Sequence, residues 1–242
     1  MGAGGHLLTL DAGNSTLDWL RHDTGARGAF DIRSGLEEFV ALVHAATPGR
    51  CVAVSTVESV RLDLQLVLGG RGVPVRFAGH ELACPLPLEY RTPETLGADR
   101  WVGALAAHRA FGRSVVVDCG SATTVNLVEQ DGTFRGGAIG PGLRALALGM
   151  AAATPALPVA DFESMPSVPS ASTQAAVDTG VVSGYCGLVE RLVADTVRAA
   201  AGPVRIVVTG GNARRLLARS RLRATFFGDL VHTGLRLLDE LP

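Results

Sequence analysis

Apolar positions follow two rhythms along this chain. Some form short unbroken runs, the pattern of strands covered on both faces, and others recur every third or fourth residue, the pattern of helices with one covered face. Residues 6–10 form such a run and end at Asp11, and residues 16–20 return as a second strand across the turn Gly13-Asn14-Ser15. Ser34 and Glu37 read as a capping box, followed by Leu36, Phe39, Val40 and Val43 at helical spacing, with Pro48-Gly49 as the stop. A strand at 51–55, a helix at 60–68 broken by Gly69, Gly70 and Gly72, and a strand at 73–77 complete a β-α-β alternation, which predicts a mostly parallel sheet with helix cover.

Residues 85–93 are proline-rich and read as a loop. Residues 95–108 read as a helix with Trp101, Leu105 and His108 on one stripe, ended by Gly112. A buried strand at 115–117 ends at Asp118. The turn Gly120-Ser121-Ala122 leads to a strand at 123–128, and Asp131-Gly132 signals a hairpin. The glycine-rich stretch 136–142 reads as a loop before an Ala/Leu helix at 143–153. A proline-bearing connection at 154–169, one or two helices over 173–198, a strand at 204–208 ending in Thr209-Gly210-Gly211, a short helix from Asn212 and a terminal helix at 230–238 finish the chain. The arrangement strand-Asp-x-Gly-turn-strand occurs twice, at Asp11 and at Asp118, half a chain apart. This predicts two related domains, residues 1–110 and 111–242, facing one cleft; the alternative is chance, because D-x-G is common in hairpin turns.

Composition narrows the chemistry. Of 242 residues, 22 are Lys or Arg and 23 Asp or Glu, so no large basic field points to nucleic acid. Every one of the basic residues is Arg, which excludes a P-loop nucleotide site and a protein-kinase site, since both need a lysine on the phosphates. The aromatic share of 5% offers no stacking platform for single strands. Cys51, Cys84, Cys119 and Cys186 are widely spaced, without the CxxC spacing of a zinc site, and read as buried thiols of a cytoplasmic protein. No apolar run is long enough to span a membrane. Neither a G-x-S-x-G nucleophile elbow nor a G-x-G-x-x-G at the first helix is present, and the histidines do not cluster in sequence.

Several clusters remain as candidate chemistry. Asp11-Ala12-Gly13-Asn14-Ser15-Thr16 puts a carboxylate, a flexible glycine and small polar side chains in one tight turn. This suits phosphate with a bridging cation, or else an ordinary Asx hairpin. The stretch from Asp118 through Ser121 to Thr124 offers the same parts again. The glycines of 136–142 and the Thr209-Gly210-Gly211-Asn212 turn could accept a ribose or phosphate on bare backbone, or be plain turns. Gly97-Ala98-Asp99-Arg100 pairs a carboxylate able to deprotonate an alcohol with a guanidinium able to grip a carboxylate. The alternative is an N-terminal helix Asp beside a solvated Arg.

Taken in order, D-x-G-N-[ST], Y-x-x-P-x-x-x-G-x-D-R, D-x-G-[ST]-A-x-T, G-G-x-I-x-P-G and T-G-G resemble the type III pantothenate kinase family, from Leu8 to about Leu237. The resemblance implies the α/β actin-like, ribonuclease-H-like fold shared with hexokinase and acetate kinase: two related domains, each a mixed sheet with flanking helices, around one cleft. It implies ATP-dependent phosphorylation of pantothenate to 4′-phosphopantothenate in coenzyme A synthesis, with Mg²⁺ and a monovalent cation, K⁺ or NH₄⁺, as cofactors. Asp11, Ala12, Gly13, Asn14, Ser15, Thr16, Leu17 and Asp18 then match the first ATP-phosphate loop, and Ser121 a second ATP contact. Tyr90, Gly97, Ala98, Asp99 and Arg100 match the pantothenate site, with Asp99 the proton acceptor. Asp118 matches the monovalent-cation ligand. Thr173 matches a threonine that reaches pantothenate from the neighbouring subunit, which implies a homodimer. Ser15 and Ser121 stand where threonine is commoner, Asp18 where a non-acidic residue is usual, and Ser172 where Asn is usual. The same residues leave two alternatives: a catalytically silent regulatory relative, or a kinase for another small hydroxy acid or sugar.

Overall fold

The structure is a computed structural model and describes residues 5–32, 37–165 and 167–241. The expected Ser34 cap and Leu36 lie outside the described residues. Contacts divide the chain into two compact units, Met1–Arg109 with Asp229–Pro242, and Ala110–Gly228.

The first unit opens with β1 (Leu7–Ala12), β2 (Thr16–Arg21) and β3 (Arg27–Asp31), joined as antiparallel neighbours. Then come α1 (Glu37–Ala46), β4 (Arg50–Ser55), α2 (Glu58–Gly69) and β5 (Val75–Phe77), with β4 parallel to β1 and β5 parallel to β4. The strand order is β3-β2-β1-β4-β5, the mixed sheet that the family resemblance implies and not the mostly parallel one implied by the β-α-β alternation alone, because β2 and β3 return by hairpins that need no crossover. β1 holds the centre and is covered on both faces: Leu8, Leu10 and Ala12 are buried on one, and Leu7 and Thr9 on the other. Phe39 and Val43 of α1 and Val60, Leu64 and Leu68 of α2 sit one helical turn apart and pack on it. A 3₁₀ turn at Pro93–Thr95 precedes α3 (Ala98–Phe111), so the helix begins later than the apolar spacing implied. From Arg100 to Ala107 every α3 residue is buried, which is why no single stripe accounts for it.

The second unit contains β6 (Ser114–Cys119), β7 (Ala122–Val128), β8 (Phe134–Pro141), α4 (Leu143–Ala153), α5 (Thr173–Ala199), β9 (Arg205–Thr209), α6 (Ala213–Arg219) and β10 (Thr225–Phe226). Its order, β8-β7-β6-β9-β10, repeats that of the first sheet, again with two antiparallel and two parallel pairings. The glycine-rich stretch 136–142, expected as a loop, is instead strand β8 and its exit. A Cβ on Gly137 would lie 1.8 Å from the Val125 carbonyl oxygen, so glycine there permits β8 to close on β7. Residues 173–199 form one continuous helix, α5, with Gly180, Gly184 and Gly187 on its outer face. Val177, Val181, Tyr185, Val189 and Val193 cover the sheet.

The terminal helix, α7 (Leu230–Asp239), belongs to the first unit, although the sequence reading placed residues 111–242 together. It lies along β1 and β4. A Cβ at Gly234 would meet the Val102 carbonyl oxygen at 2.3 Å, so glycine lets α7 cross α3 backbone to backbone. Asp239, its side chain only 5% exposed, takes hydrogen bonds from Arg50 (2.8 Å) and Arg76 (2.7 Å), which explains why a carboxylate is tolerated there.

Candidate active site

In the first unit the β1–β2 hairpin carries the residues from Asp11 to Asp18. Gly13 N–H donates to the Thr16 carbonyl (3.0 Å), closing the turn. Ile32 N–H donates to the Ser15 carbonyl (3.1 Å), and Thr56 N–H to the Ala12 carbonyl (3.1 Å), so chain on either side clamps it. Across the ladder Asp11 faces Asp18, and Ala12 faces Leu17. Opposed residues of an antiparallel pair share a face, so the two carboxylates project together while Ala12 and Leu17, both fully buried, offer a ligand only backbone. Asn14 and Thr16 are exposed. The surrounding chain crowds water from the Asp18 carboxyl and pushes its pKa up.

The same unit holds the cluster at the start of α3. A Cβ on Gly97 would lie 2.6 Å from Asp99 Oδ1, so only glycine lets the carboxylate fold back there. Desolvation raises the Asp99 pKa, with the Arg100 amide and guanidinium opposing in part. Arg100 is buried. Its Nη1 donates to Tyr90 Oη (3.3 Å) and its guanidinium stands 5.7 Å from the Tyr90 ring centroid. The structure thus brings Tyr90, Gly97, Asp99 and Arg100 together, and the solvated-arginine alternative does not describe them.

In the second unit Asp118 is the penultimate residue of β6, opposite Thr124 of β7 and Thr209 of β9. Gly142 N–H donates to the Ser121 carbonyl (3.2 Å) and Asn212 N–H to the Cys119 carbonyl (3.0 Å). Gly210 has φ +89°, and a Cβ there would sit 2.4 Å from Asp118 Oδ1. A Cβ at Gly142 would sit 2.4 Å from the Gly120 carbonyl oxygen. These two glycines therefore serve the chain's own close packing around the hairpin tip. Ser121 is exposed at that tip and Asp118 is half-buried. Thr173 is the exposed first residue of α5, and Ser172 caps it by accepting from Ala175 N–H (3.2 Å), a role serine fills as well as the usual Asn.

Two groupings escaped the sequence. Thr9 Oγ1, fully buried, sits between His22 Nε2 (3.0 Å) and His232 Nδ1 (2.9 Å). Histidines that do not cluster in sequence thus meet in space, because α7 returns to β1. Burial lowers the His232 pKa to about 4 and also lowers that of His22. Tyr185, fully buried on α5, places its hydroxyl 3.0 Å from Thr123 Oγ1. No signal short of the fold itself brings residue 185 beneath residue 123.

Two mixed sheets of one strand order, each with an Asp-x-Gly hairpin at the carboxyl end of its central strand, define the actin-like class of folds. A Campylobacter jejuni protein placed in the Baf family of transcriptional activators superposes with a TM-score of 0.63 at 20% identity, over 96% of each chain. The archaeal actin homolog Ta0583 gives 0.53 at 13%, over 97% of this chain and 99% of that one. Within this class the chain belongs to the type III pantothenate kinase family, whose model matches residues 7–195. A type III pantothenate kinase from Alkalilimnicola ehrlichii is 36% identical over 96% of this chain and 97% of its own.

Proposed function

We propose that this protein transfers the γ-phosphoryl group of ATP to the primary hydroxyl of pantothenate, forming 4′-phosphopantothenate for coenzyme A synthesis. The observation that carries this reading is the Asp99 site: a desolvated carboxyl of raised pKa, seated over Gly97 beside a buried arginine. A carboxylate of raised pKa is the better proton acceptor, and it would orient and deprotonate the alcohol. Arg100, pre-oriented by Tyr90, would hold the pantothenate carboxylate. The two hairpins would meet phosphate oxygens with backbone N–H groups and with the Ser15, Thr16 and Ser121 hydroxyls.

The carboxylates of Asp11 and Asp18, and that of Asp118, are hard oxygen donors that suit Mg²⁺ and K⁺ or NH₄⁺ respectively. No group of three or more His, Cys, Asp or Glu among the described residues forms a metal cage. That accords with a Mg²⁺ carried mostly by phosphates and water. Bound cations would supply charge neutralisation at the phosphates. The four cysteines are free, and no helix among the described residues is long and apolar enough to cross a membrane; both support a cytoplasmic enzyme.

We also propose a homodimer through the outer face of α5. Gly180, Ser183, Gly184 and Gly187 are exposed there, and a Cβ on any of the three glycines would meet nothing within 4 Å. A second helix can approach such a face closely, and Thr173 begins the same helix.

Asp99→Asn tests the reading. It keeps the size and removes the proton acceptor, so kcat with pantothenate should fall about 10²-fold or more while ATP affinity holds. Near-normal turnover would remove Asp99 from the mechanism. Light scattering should give twice the 25.1 kDa chain mass. Mixing Asp99→Asn chains with inactive Thr173→Arg chains should restore activity in hybrid sites, and a fully active monomer would defeat the dimer.

A further inference from the structure

Tyr185 is the largest fully buried side chain, and its position is specific. It projects from the sheet-facing side of α5 toward the root of the Gly120-Ser121 turn. Cys119 and Thr123 are partners across the β6–β7 ladder there, the last pair before the turn. The Tyr185 hydroxyl lies 3.0 Å from Thr123 Oγ1, and Cys119 packs in the same core cluster. One phenol therefore holds the strand that leaves the turn at the ladder pair from which Gly120 and Ser121 project. The backbone bonds from Gly142 and Asn212 hold the carbonyls of Ser121 and Cys119 from the flanks, and Tyr185 holds Thr123 from beneath.

We propose that Tyr185 is a positioning residue for the nucleotide. By holding Thr123, the ladder partner of Cys119, it fixes the base of the Asp118–Ser121 tip, and it ties that tip to the helix whose outer face we assign to the dimer. The inference rests on the reading of this hairpin as an ATP-phosphate contact. It goes further by naming a buried residue that acts on ATP and not on pantothenate. Tyr185 acts through Thr123, and so as a positioning residue.

The test is calorimetric titration of the full chain with Mg-ATP in potassium buffer, without pantothenate. Tyr185→Phe should weaken ATP binding about three- to tenfold, the range for one net hydrogen bond. Thr123→Val, which removes the same bond from the hairpin side, should weaken it equally, and the double variant should be no worse than either single one. In turnover the KM for ATP should rise while the KM for pantothenate stays put. Val189→Ala, on the same helix face, should lower the thermal midpoint and leave ATP affinity unchanged. Wild-type ATP affinity in Tyr185→Phe and in Thr123→Val, or an equal loss in Val189→Ala, would overturn the proposal. If Tyr185→Phe does not fold, the outcome is read from Thr123→Val alone. ATP binding without pantothenate turnover in the wild type would sink the substrate reading and leave this inference standing. No ATP binding at all would sink both.

Discussion

The Asp11 hairpin and the Asp118 hairpin occupy the same place in sheets of the same order, and two backbone clamps recur in both. Ile32 N–H to Ser15 matches Gly142 N–H to Ser121, and Thr56 N–H to Ala12 matches Asn212 N–H to Cys119. What differs is side-chain content. Beneath the first turn lies an apolar pair, Ala12 and Leu17. Beneath the second lies a polar pair, Cys119 and Thr123, with Tyr185 under it. Opposite Asp11 stands a second carboxylate, Asp18, and opposite Asp118 a neutral Thr124. The backbone thus supplies a common frame, and the side chains divide the labour: the first hairpin gathers negative charge, and the second is braced internally.

The sharpest way to break this comparison is to add one carbon beside each hairpin: at Gly210, in the turn after β9 that packs on the Asp118 tip, and at Gly13, in the Asp11 turn. Gly210→Ala forces a Cβ against Asp118 Oδ1 at 2.4 Å and the Cys119 nitrogen at 2.7 Å, at φ +89°. Strain of this kind costs on the order of 1–3 kcal/mol before the clash is counted, so we expect more than about 3 kcal/mol lost and potassium activation abolished. In the first hairpin the nearest atom to a Gly13 Cβ is the Thr16 carbonyl oxygen at 3.7 Å, an ordinary contact. Gly13→Ala should stay within about 0.5 kcal/mol in denaturant titration, as an unstrained surface change does. Equal losses at the two sites would mean that the β9 turn packs on the Asp118 tip no more tightly than the Asp11 turn is packed.

Acid should separate the units next. His232 in the folded state titrates near 4, below its ordinary 6.5. Between those values the unfolded chain takes up a proton that the folded chain refuses, so stability falls as pH drops through this window and is fully present above it. From pH 6.5 to 5 the loss should approach ~2 kcal/mol, and hydrogen exchange should place it in β1 and α7. The bracing of the second hairpin is neutral and should not respond. His232→Asn, which can keep a donor to Thr9, should flatten the profile, and an unchanged slope would remove His232 as its source.

The smallest effect sharpens the charge difference. Asp18 has a raised pKa, so its ionised form burdens the fold at neutral pH, and the burden lifts as pH falls through the folded-state pKa. Asp18→Asn should therefore stabilise by ~0.2–1 kcal/mol at pH 7, the range for opposed like charges across strands, and by nothing at low pH. The same variant should lower the Mg²⁺ requirement for ATP binding if Asp18 shares in holding the cation.

Much of this was legible in the sequence for physical reasons. The central strands are covered on both faces and therefore read as unbroken apolar runs, and each ends in Asp-x-Gly. Gly97 to Arg100 stood out because acid, base and glycine abut. β3 was missed: its residues alternate between exposed and half-buried, and Gly28 and Ala29 carry little strand preference. β8 was misread because glycines signal a loop until a partner strand is known to press on them. Leu17 looked like part of a ligand loop, and its side chain is core. The Thr9–His22–His232 and Tyr185–Thr123 contacts join residues 223 and 62 positions apart at their widest, distances over which pattern carries no information.

The return of α7 to the first sheet has a consequence for synthesis. The second unit is one continuous stretch, so all its strands and helices are available as soon as Gly228 has emerged from the ribosome. The first unit, although its strands are translated earlier, lacks the helix that covers β1 and β4 until Leu230–Asp239 has been made. Its Thr9, Arg50 and Arg76 wait through elongation for His232 and Asp239. We expect the nascent chain to hold a folded second unit beside an incomplete first one, whose exposed apolar strand makes it the half that depends on chaperones.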